Sequence, residues 1–103
     1  MSLKTEAALQ RYLFKCAKAH GMYIRKMQAS GRRGFPDCLV IGNEQPYFIE
    51  LKSPAGTGRL SELQKREIAH LRKHGQEVRV VATVTEVDRV IREIIERKAT
   101  GGG

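Results

Sequence analysis

Residues 34–52 read GFPDCLVIGNEQPYFIELK and contain the most informative structural pattern in the chain. It contains two apolar runs, 38–41 and 47–51, on either side of a segment at 42–46 that is rich in turn-forming residues. Apolar runs joined by a short segment of this composition are typical of a β-hairpin. The stretch therefore predicts two adjacent antiparallel strands.

The same stretch places three charged residues at the end of the hairpin that lies away from the turn. With the turn at 42–45, the register pairs Asp37 with Glu50. Residues two apart on a strand share a face, so Lys52 lies beside Glu50 while Leu51 points to the other face. A register shifted by two residues would still leave Asp37, Glu50 and Lys52 as neighbours on one face.

This group of three has the composition of a phosphodiester-cleaving site. Two adjacent carboxylates repel each other unless a cation lies between them, and Mg²⁺ prefers carboxylate, phosphate and water oxygens. A lysine beside them would orient a water nucleophile or stabilise the charge of the transition state. Alternatively, Asp37 merely ends a loop, and Glu50 with Lys52 forms an exposed ion pair. The apolar residues around Glu50 weigh against this alternative, because they suit a buried strand.

The rest of the chain supplies the elements that surround the hairpin. Apolar spacing and capping signals predict a helix over 3–19, a strand over 22–28, a helix from Ser61 to Gly75, a strand over 77–83 and a last helix capped by Thr85 with Asp88. The valine-rich fourth strand is typical of a fully buried position. Since strands around a crossover helix pack parallel, this order predicts an α/β domain with a mixed sheet.

The second and last helices, like the first, carry apolar stripes that are expected to pack on the sheet. The stripe of the second helix consists of Leu60, Leu63, Ile68 and Leu71, and that of the last helix of Val87, Val90, Ile91, Ile94 and Ile95.

The composition describes one small domain with an excess of positive charge. The chain has 103 residues, and 41% of them are hydrophobic, which suffices for a single core. Its net charge is +8. Residues 1–36 contain eight Lys and Arg against one Glu, so most of the excess lies in the first third of the chain. This charge favours a polyanionic partner, with simple solubility as the alternative.

Neither membrane insertion nor secretion is expected. The apolar runs are too short to span a bilayer, and the first residues show no apolar signal region. We therefore expect a cytoplasmic location, in a bacterial or phage-infected cell. Cys16 and Cys38 fit no metal-binding spacing and are expected to be small buried residues, with a disulfide as the less favoured alternative.

The charged residues of the hairpin belong to a recognisable pattern. Phe35-Pro36-Asp37 followed by Glu50-Leu51-Lys52 resembles the Pro-Asp…Glu-x-Lys signature of the PD-(D/E)xK superfamily of nucleases. Within it, the chain is most similar to the virus-type replication-repair nuclease (VRR-NUC) domain, because Glu6, residues 34–37, residues 50–52 and Gln64 occur in order on the expected elements. The resemblance covers about residues 4–95. It implies a restriction-endonuclease-like αβββαβ core with a mixed sheet, followed by a C-terminal helix.

The resemblance also implies a role for each matching residue. Glu6, Asp37, Glu50 and the Leu51 carbonyl would ligate Mg²⁺ or Mn²⁺, and Asp37, Glu50, Lys52 and Gln64 would form the catalytic set. Glu6 lies at the end of the apolar stripe that Leu9, Leu13 and Cys16 form on the first helix, and its alternative role is a carboxylate favoured by the helix dipole. The alternative for Gln64 is that of capping partner to Ser61.

Four basic residues are candidates for DNA binding. Arg32 and Arg33 lie in the glycine-flanked segment 29–34, whose composition predicts a mobile loop before the Asp37 strand. Arg59 and Lys65 lie near the start of the second helix. All four would contact phosphates beside the scissile bond, with a solvated surface charge as the alternative for each.

The expected protein is a single nuclease domain over residues 1–98, with a disordered glycine tail at 99–103. Because no second domain is expected to read a base sequence, specificity should come from DNA shape. The resemblance implies a homodimer that cuts branched DNA such as four-way (Holliday) junctions in replication and repair. The alternatives are a nicking or flap nuclease acting on simpler DNA, and a non-catalytic DNA-binding module.

Overall fold

The computed structural model describes residues 3–27, 34–53 and 59–97. The elements are α1 (Glu6–Ala19), β1 (Tyr23–Lys26), β2 (Cys38–Ile41), β3 (Pro46–Leu51), α2 (Glu62–Lys73), β4 (Glu77–Val81) and α3 (Val84–Glu96). The predicted glycine tail at 99–103 lies outside the described residues. The predicted order of helix, three strands, helix, strand and helix is confirmed, and so is the α/β class.

The four strands form one mixed sheet in the order β1-β2-β3-β4. The pairs β1–β2 and β2–β3 are antiparallel, whereas β3 and β4 run parallel because α2 crosses between them. Leu39 pairs with Phe48 and Ile41 with Pro46, which is the register that the turn at 42–45 predicts. Within this register, position 37 lies opposite position 50.

Helix α1 begins later than its apolar spacing predicts. The Thr5 side chain accepts a hydrogen bond from the Ala8 backbone N–H at 3.0 Å and caps the helix, so the helix begins at Glu6 rather than at residue 3. Leu9, Leu13 and Ala17 are buried along its inner face. This cap fixes Glu6 in the first turn of α1.

Different helices pack against the two faces of the sheet. Tyr47, Ile49 and Leu51 of β3 belong to the main core, together with the inner faces of α1 and α3. Since side chains alternate along a strand, Phe48 and Glu50 point to the opposite face. Helix α2 packs against β4, and Ile68 of α2 is buried.

The prediction of a fully buried fourth strand was wrong. Strand β4 is at the edge of the sheet, ends at Val81 rather than at residue 83, and buries only Val78 and Val81. Its remaining side chains are half-buried. Arg79 pairs with Glu77 at 3.1 Å and also with Glu93 of α3. The valine content therefore reflects strand propensity rather than a central position.

The predicted cap of the last helix was also wrong. The Thr83 side chain, not that of Thr85, caps α3 by accepting a hydrogen bond from the Glu86 N–H at 3.1 Å. The Glu86 carboxylate in turn accepts the Ala82 N–H at 2.8 Å. Thr83 with Glu86 has the same three-residue spacing as Thr85 with Asp88, and the longer glutamate side chain reaches back to the preceding backbone.

The apolar stripes are buried only in part. Val87, Val90, Ile91 and Ile94 of α3 lie in the core, whereas Ile95 is 49% exposed. In α2, Ile68 alone is buried and Leu63 is 44% exposed.

Both cysteines are free thiols, and the prediction that both are buried is confirmed for Cys38 but was wrong for Cys16. Cys38 is buried and Cys16 is half-buried. Among the described helices, none is both long and apolar enough to cross a bilayer.

Candidate active site

The hairpin brings Asp37 against β3. Asp37 directly precedes β2, and its Oδ2 atom accepts the Leu51 backbone N–H at 2.9 Å. Its backbone carbonyl accepts the Met27 N–H at 2.7 Å, which ties the same residue to the end of β1, since Met27 directly follows that strand. Asp37 is therefore fixed by hydrogen bonds to both neighbouring strands, as a catalytic carboxylate requires.

Glu50 is a buried carboxylate with one unpaired oxygen. The residue is 2% exposed, and no other charged residue among the described ones is classed as buried. Its Oε2 atom accepts a hydrogen bond from Gln64 Nε2 at 2.6 Å and lies 3.4 Å from Lys52 Nζ. Its Oε1 atom is buried without a hydrogen-bond partner. Because a buried carboxylate oxygen without a partner is costly, this atom is suited to receive a ligand.

The surroundings of Glu50 disfavour its charged form. Burial raises its pKa to about 7, and the nearby charge of Asp37 acts in the same direction. The ammonium group of Lys52 lowers the pKa and so opposes both effects. A second cation between Asp37 and Glu50 would remove the repulsion that remains.

Gln64 connects Lys52 and Glu50 to helix α2. Its side-chain oxygen accepts hydrogen bonds from Lys52 Nζ at 2.6 Å and from the Ser61 backbone N–H at 2.9 Å. Its own backbone N–H donates to Ser61 Oγ at 3.1 Å, which completes the capping box. The two roles considered for Gln64 are thus compatible, since one side chain caps the helix and contacts both charged residues. Ser61 gains a second role that sequence reasoning did not assign, because the cap fixes the Gln64 amide.

Gly34 allows the loop before Asp37 to approach the first turn of α2. The residue has φ +85°, and a Cβ atom placed there would lie 2.7 Å from the backbone carbonyl of Leu63 and 2.9 Å from Gln64 N. Only glycine fits this close approach and this backbone conformation. The approach places the segment that ends in Asp37 beside the helix that carries Gln64.

We expect Gly34→Ala to destabilise the protein and to lower its activity. The added methyl group would displace the first turn of α2, with an expected cost of about 2–4 kcal/mol and a loss of about 100-fold in cleavage rate. Thermal unfolding and a cleavage assay measure the two effects. Gly75→Ala is the matched control, because Gly75 has φ +80° but open space around its Cα. Equal effects of the two substitutions would show that only backbone conformation matters at Gly34.

The residues present fit a hard divalent cation. Asp37 and Glu50 offer carboxylate oxygens from adjacent strands, and Glu50 Oε1 is buried and unpaired. Carboxylate oxygens are the ligands that Mg²⁺ and Mn²⁺ take. The Leu51 backbone lies between the two residues that face the site, while its side chain is buried in the main core.

Glu6 is not joined to this group in the structure. It is exposed in the first turn of α1, and the described part of the chain contains no cluster of three or more Asp, Glu, His or Cys side chains able to hold a metal ion. The structure thus brings together Asp37, Glu50, Lys52 and Gln64.

Two of the four predicted DNA-binding residues can be placed. Arg59 and Lys65 are both exposed near the start of α2, where Lys65 pairs with Glu62 at 3.4 Å. Arg32 and Arg33, with most of their predicted loop, lie outside the described residues.

Comparisons with known proteins agree with this geometry. The sequence profile of the VRR-NUC domain matches residues 2–86. A solved structure described as a VRR_NUC domain is 33% identical in sequence, with a TM-score of 0.75 over 87% of this chain and 97% of its own. No curated protein matches the chain significantly. The chain therefore belongs to the VRR-NUC family of nucleases, which act in DNA replication and repair.

Proposed function

We propose that the protein is a Mg²⁺- or Mn²⁺-dependent endonuclease that hydrolyses phosphodiester bonds in branched DNA, such as four-way junctions. The observation that carries the proposal is the buried Glu50 carboxylate, whose unpaired Oε1 lies in the group formed with Asp37, Lys52 and Gln64. A buried carboxylate that serves only the fold would have both oxygens paired. VRR-NUC nucleases generally depend on a divalent metal ion, which supports this assignment.

Each residue of the group has a separate part in the proposed reaction. Asp37, Glu50 and the Leu51 carbonyl would hold the metal ion, and Glu6 would supply a further ligand from α1. The bound cation would act as a Lewis acid on the scissile phosphate and lower the pKa of a coordinated water. Lys52 stabilises the negative charge that develops on the phosphate oxygens. Gln64 keeps the Lys52 ammonium group in place, since its side-chain oxygen lies 2.6 Å from Nζ.

The proposed substrate follows from the size of the nuclease domain and from its family. A domain of 103 residues contacts few base pairs, whereas a two-fold dimer presents two active sites to two strands of a junction. We therefore propose a homodimer that recognises DNA shape, with Arg32, Arg33, Arg59 and Lys65 contacting the flanking phosphates. The proposed location is the cytoplasm of a bacterial or phage-infected cell.

A panel of DNA substrates tests this proposal. Labelled four-way junction, flap and linear duplex are incubated with the protein and Mg²⁺, Mn²⁺ or EDTA, while analytical ultracentrifugation gives the oligomeric state. Paired symmetrical nicks in the junction by a dimer would support the proposed function. Preferential cutting of flaps or of linear duplex would indicate a simpler nuclease, and metal-independent binding without cleavage would indicate a DNA-binding module.

We expect Glu6→Gln to raise the metal concentration that cleavage requires. Whether Glu6 binds the cation directly or through a coordinated water, its loss should weaken metal affinity by roughly 10- to 100-fold. The rate at saturating Mg²⁺ should recover in large part, because Asp37 and Glu50 remain. Titrating Mg²⁺ in the cleavage assay measures the shift. An unchanged Mg²⁺ dependence would mean that Glu6 only favours the start of α1.

A further inference from the structure

The sheet face that carries the active site continues toward β1. Arg25 pairs with Leu39 of β2, and Leu39 pairs with Phe48 of β3. Phe48 lies two residues before Glu50, so Arg25 and Glu50 point to the same face. Tyr23 lies two residues before Arg25 and shares this face. Tyr23 is 48% exposed and Arg25 is also exposed, so this end of the face is open to solvent.

Arg25 is held in a defined orientation on this open face. Its guanidinium carbon lies 4.2 Å from the centroid of the Tyr23 ring, and its Nη1 atom donates to the Ile24 carbonyl at 2.7 Å. A guanidinium stacked on an aromatic ring keeps its N–H edge available for other acceptors. The arginine is therefore oriented before any partner binds.

Two arginines near Tyr47 contrast with Arg25, because both are stacked near an aromatic ring and also paired with carboxylates. Arg79 and Arg97 lie near the Tyr47 ring, at 5.3 and 6.0 Å from its centroid, and each forms an ion pair with Glu77. Their charges are thus balanced within the chain. Every Asp and Glu of the sequence lies in the described residues, and no ion pair found there includes Arg25. Among the residues that the structure describes, the guanidinium of Arg25 therefore has no ion-pair partner.

The position of Arg25 suits a substrate phosphate other than the scissile one. Arg25 lies two strands across the sheet and two residues along it from Glu50. With about 4.8 Å per strand and about 3.3 Å per residue, the two positions are about 12 Å apart. Phosphates follow one another at about 3.4 Å of rise along each DNA strand. A phosphate a few nucleotides from the scissile bond would therefore reach Arg25.

We propose that Arg25, oriented by Tyr23, binds a backbone phosphate that flanks the scissile bond. The DNA then crosses the open β1–β2 half of the sheet. This inference rests on the proposed function, because it takes DNA as the ligand. Arg25 contacts the phosphate, and Tyr23 is a positioning residue that acts through it.

The salt dependence of DNA binding tests the proposal. Fluorescence anisotropy gives the affinity of the full chain for a labelled four-way junction between 50 and 200 mM salt, with Ca²⁺ in place of Mg²⁺. The plot of log K against log salt has a negative slope, and losing one phosphate contact makes that slope less steep by about 0.9. We expect this change for Arg25→Gln, with roughly tenfold weaker binding. Arg25→Lys should keep the slope and recover part of the affinity.

Two further comparisons separate a phosphate contact from a general loss of charge or of structure. Arg89→Gln removes an exposed charge from α3, on the other side of the sheet, and should leave the slope unchanged. Tyr23→Ala should weaken binding by roughly threefold alone but add nothing to Arg25→Gln, as expected for coupled residues. Circular dichroism checks that each variant is folded.

The outcomes distinguish this inference from the proposed function. A wild-type chain that binds DNA, together with a slope unchanged by Arg25→Gln, would overturn the Arg25 contact and leave the nuclease assignment intact. A wild-type chain that binds no DNA would overturn the proposed function, and the phosphate contact with it.

Discussion

Glu50→Gln should abolish DNA cleavage and at the same time stabilise the metal-free protein at pH 8. The amide has the shape of the carboxylate and can still accept a hydrogen bond from Gln64, but it is a poor ligand for a hard cation. We expect the cleavage rate to fall on the order of 10³-fold, since metal-ion catalysis contributes several kcal/mol. A residue needed only for packing would not combine lost activity with gained stability.

The gain in stability follows from the pKa of Glu50. Burial and Asp37 raise this pKa to about 7 in the folded chain, compared with 4.5 for a free side chain. The buried carboxylate therefore destabilises the fold increasingly as the pH rises from about 4.5 to about 7, and fully above that range. Glu50→Gln removes this penalty, and we expect a gain of about 2 kcal/mol at pH 8.

Urea unfolding in EDTA at pH 4.5 and at pH 8, together with a cleavage assay in Mg²⁺, measures both effects. The gain should disappear at pH 4.5, where Glu50 is protonated in the folded wild type. Glu96→Gln is the control, because it removes an exposed carboxylate at the end of α3. If Glu50→Gln destabilised the protein at pH 8 as well, the carboxylate would be a structural group and not a strained ligand.

Lys52→Met should nearly eliminate turnover while leaving DNA binding almost unchanged. Lys52 provides the ammonium group 3.4 Å from Glu50, and its Nζ donates to Gln64 at 2.6 Å. Removing a preorganised charge that stabilises the transition state typically costs about 10²- to 10³-fold in kcat. Binding involves several phosphate contacts and should depend little on one residue inside the site.

Single-turnover cleavage and anisotropy binding, measured on the same DNA, separate the two effects. Lys73→Met is the matched control, because Lys73 is an exposed lysine at the far end of α2. Lys52→Arg should recover only part of the rate, since the larger planar guanidinium does not replace an ammonium group bound to Gln64. Equal losses of binding and rate in Lys52→Met would indicate that Lys52 serves substrate affinity.

The hairpin and its candidate catalytic residues follow closely from the sequence. The turn at 42–45 and the alternation of apolar residues fix the register, so the proximity of Asp37 and Glu50 needs no tertiary information. Gln64 is similarly predictable, because the capping box places it on the first turn of α2. Local patterns thus account for the group formed by these residues and Lys52.

Features that depend on distant contacts do not follow from the sequence. The position of β4 at the sheet edge depends on which strands pair, and its valines are compatible with either position. The contact of Gly34 with α2 joins residues about 30 positions apart, and glycine alone predicts only a turn. That Arg25 has no ion partner within the described ranges becomes evident only when every Asp and Glu side chain has been placed.

We propose above all that Asp37 and Glu50 together hold the metal ion on which DNA cleavage by this protein depends. The most direct measurement is cleavage of a labelled four-way junction by the wild type and by Asp37→Asn, first in EDTA and then after Mg²⁺ is added in excess. We predict no cleavage in EDTA, cleavage by the wild type once Mg²⁺ is present, and none by Asp37→Asn, although the variant is folded and binds the junction. Cleavage by the wild type in EDTA, or by Asp37→Asn at the wild-type rate, would contradict the claim.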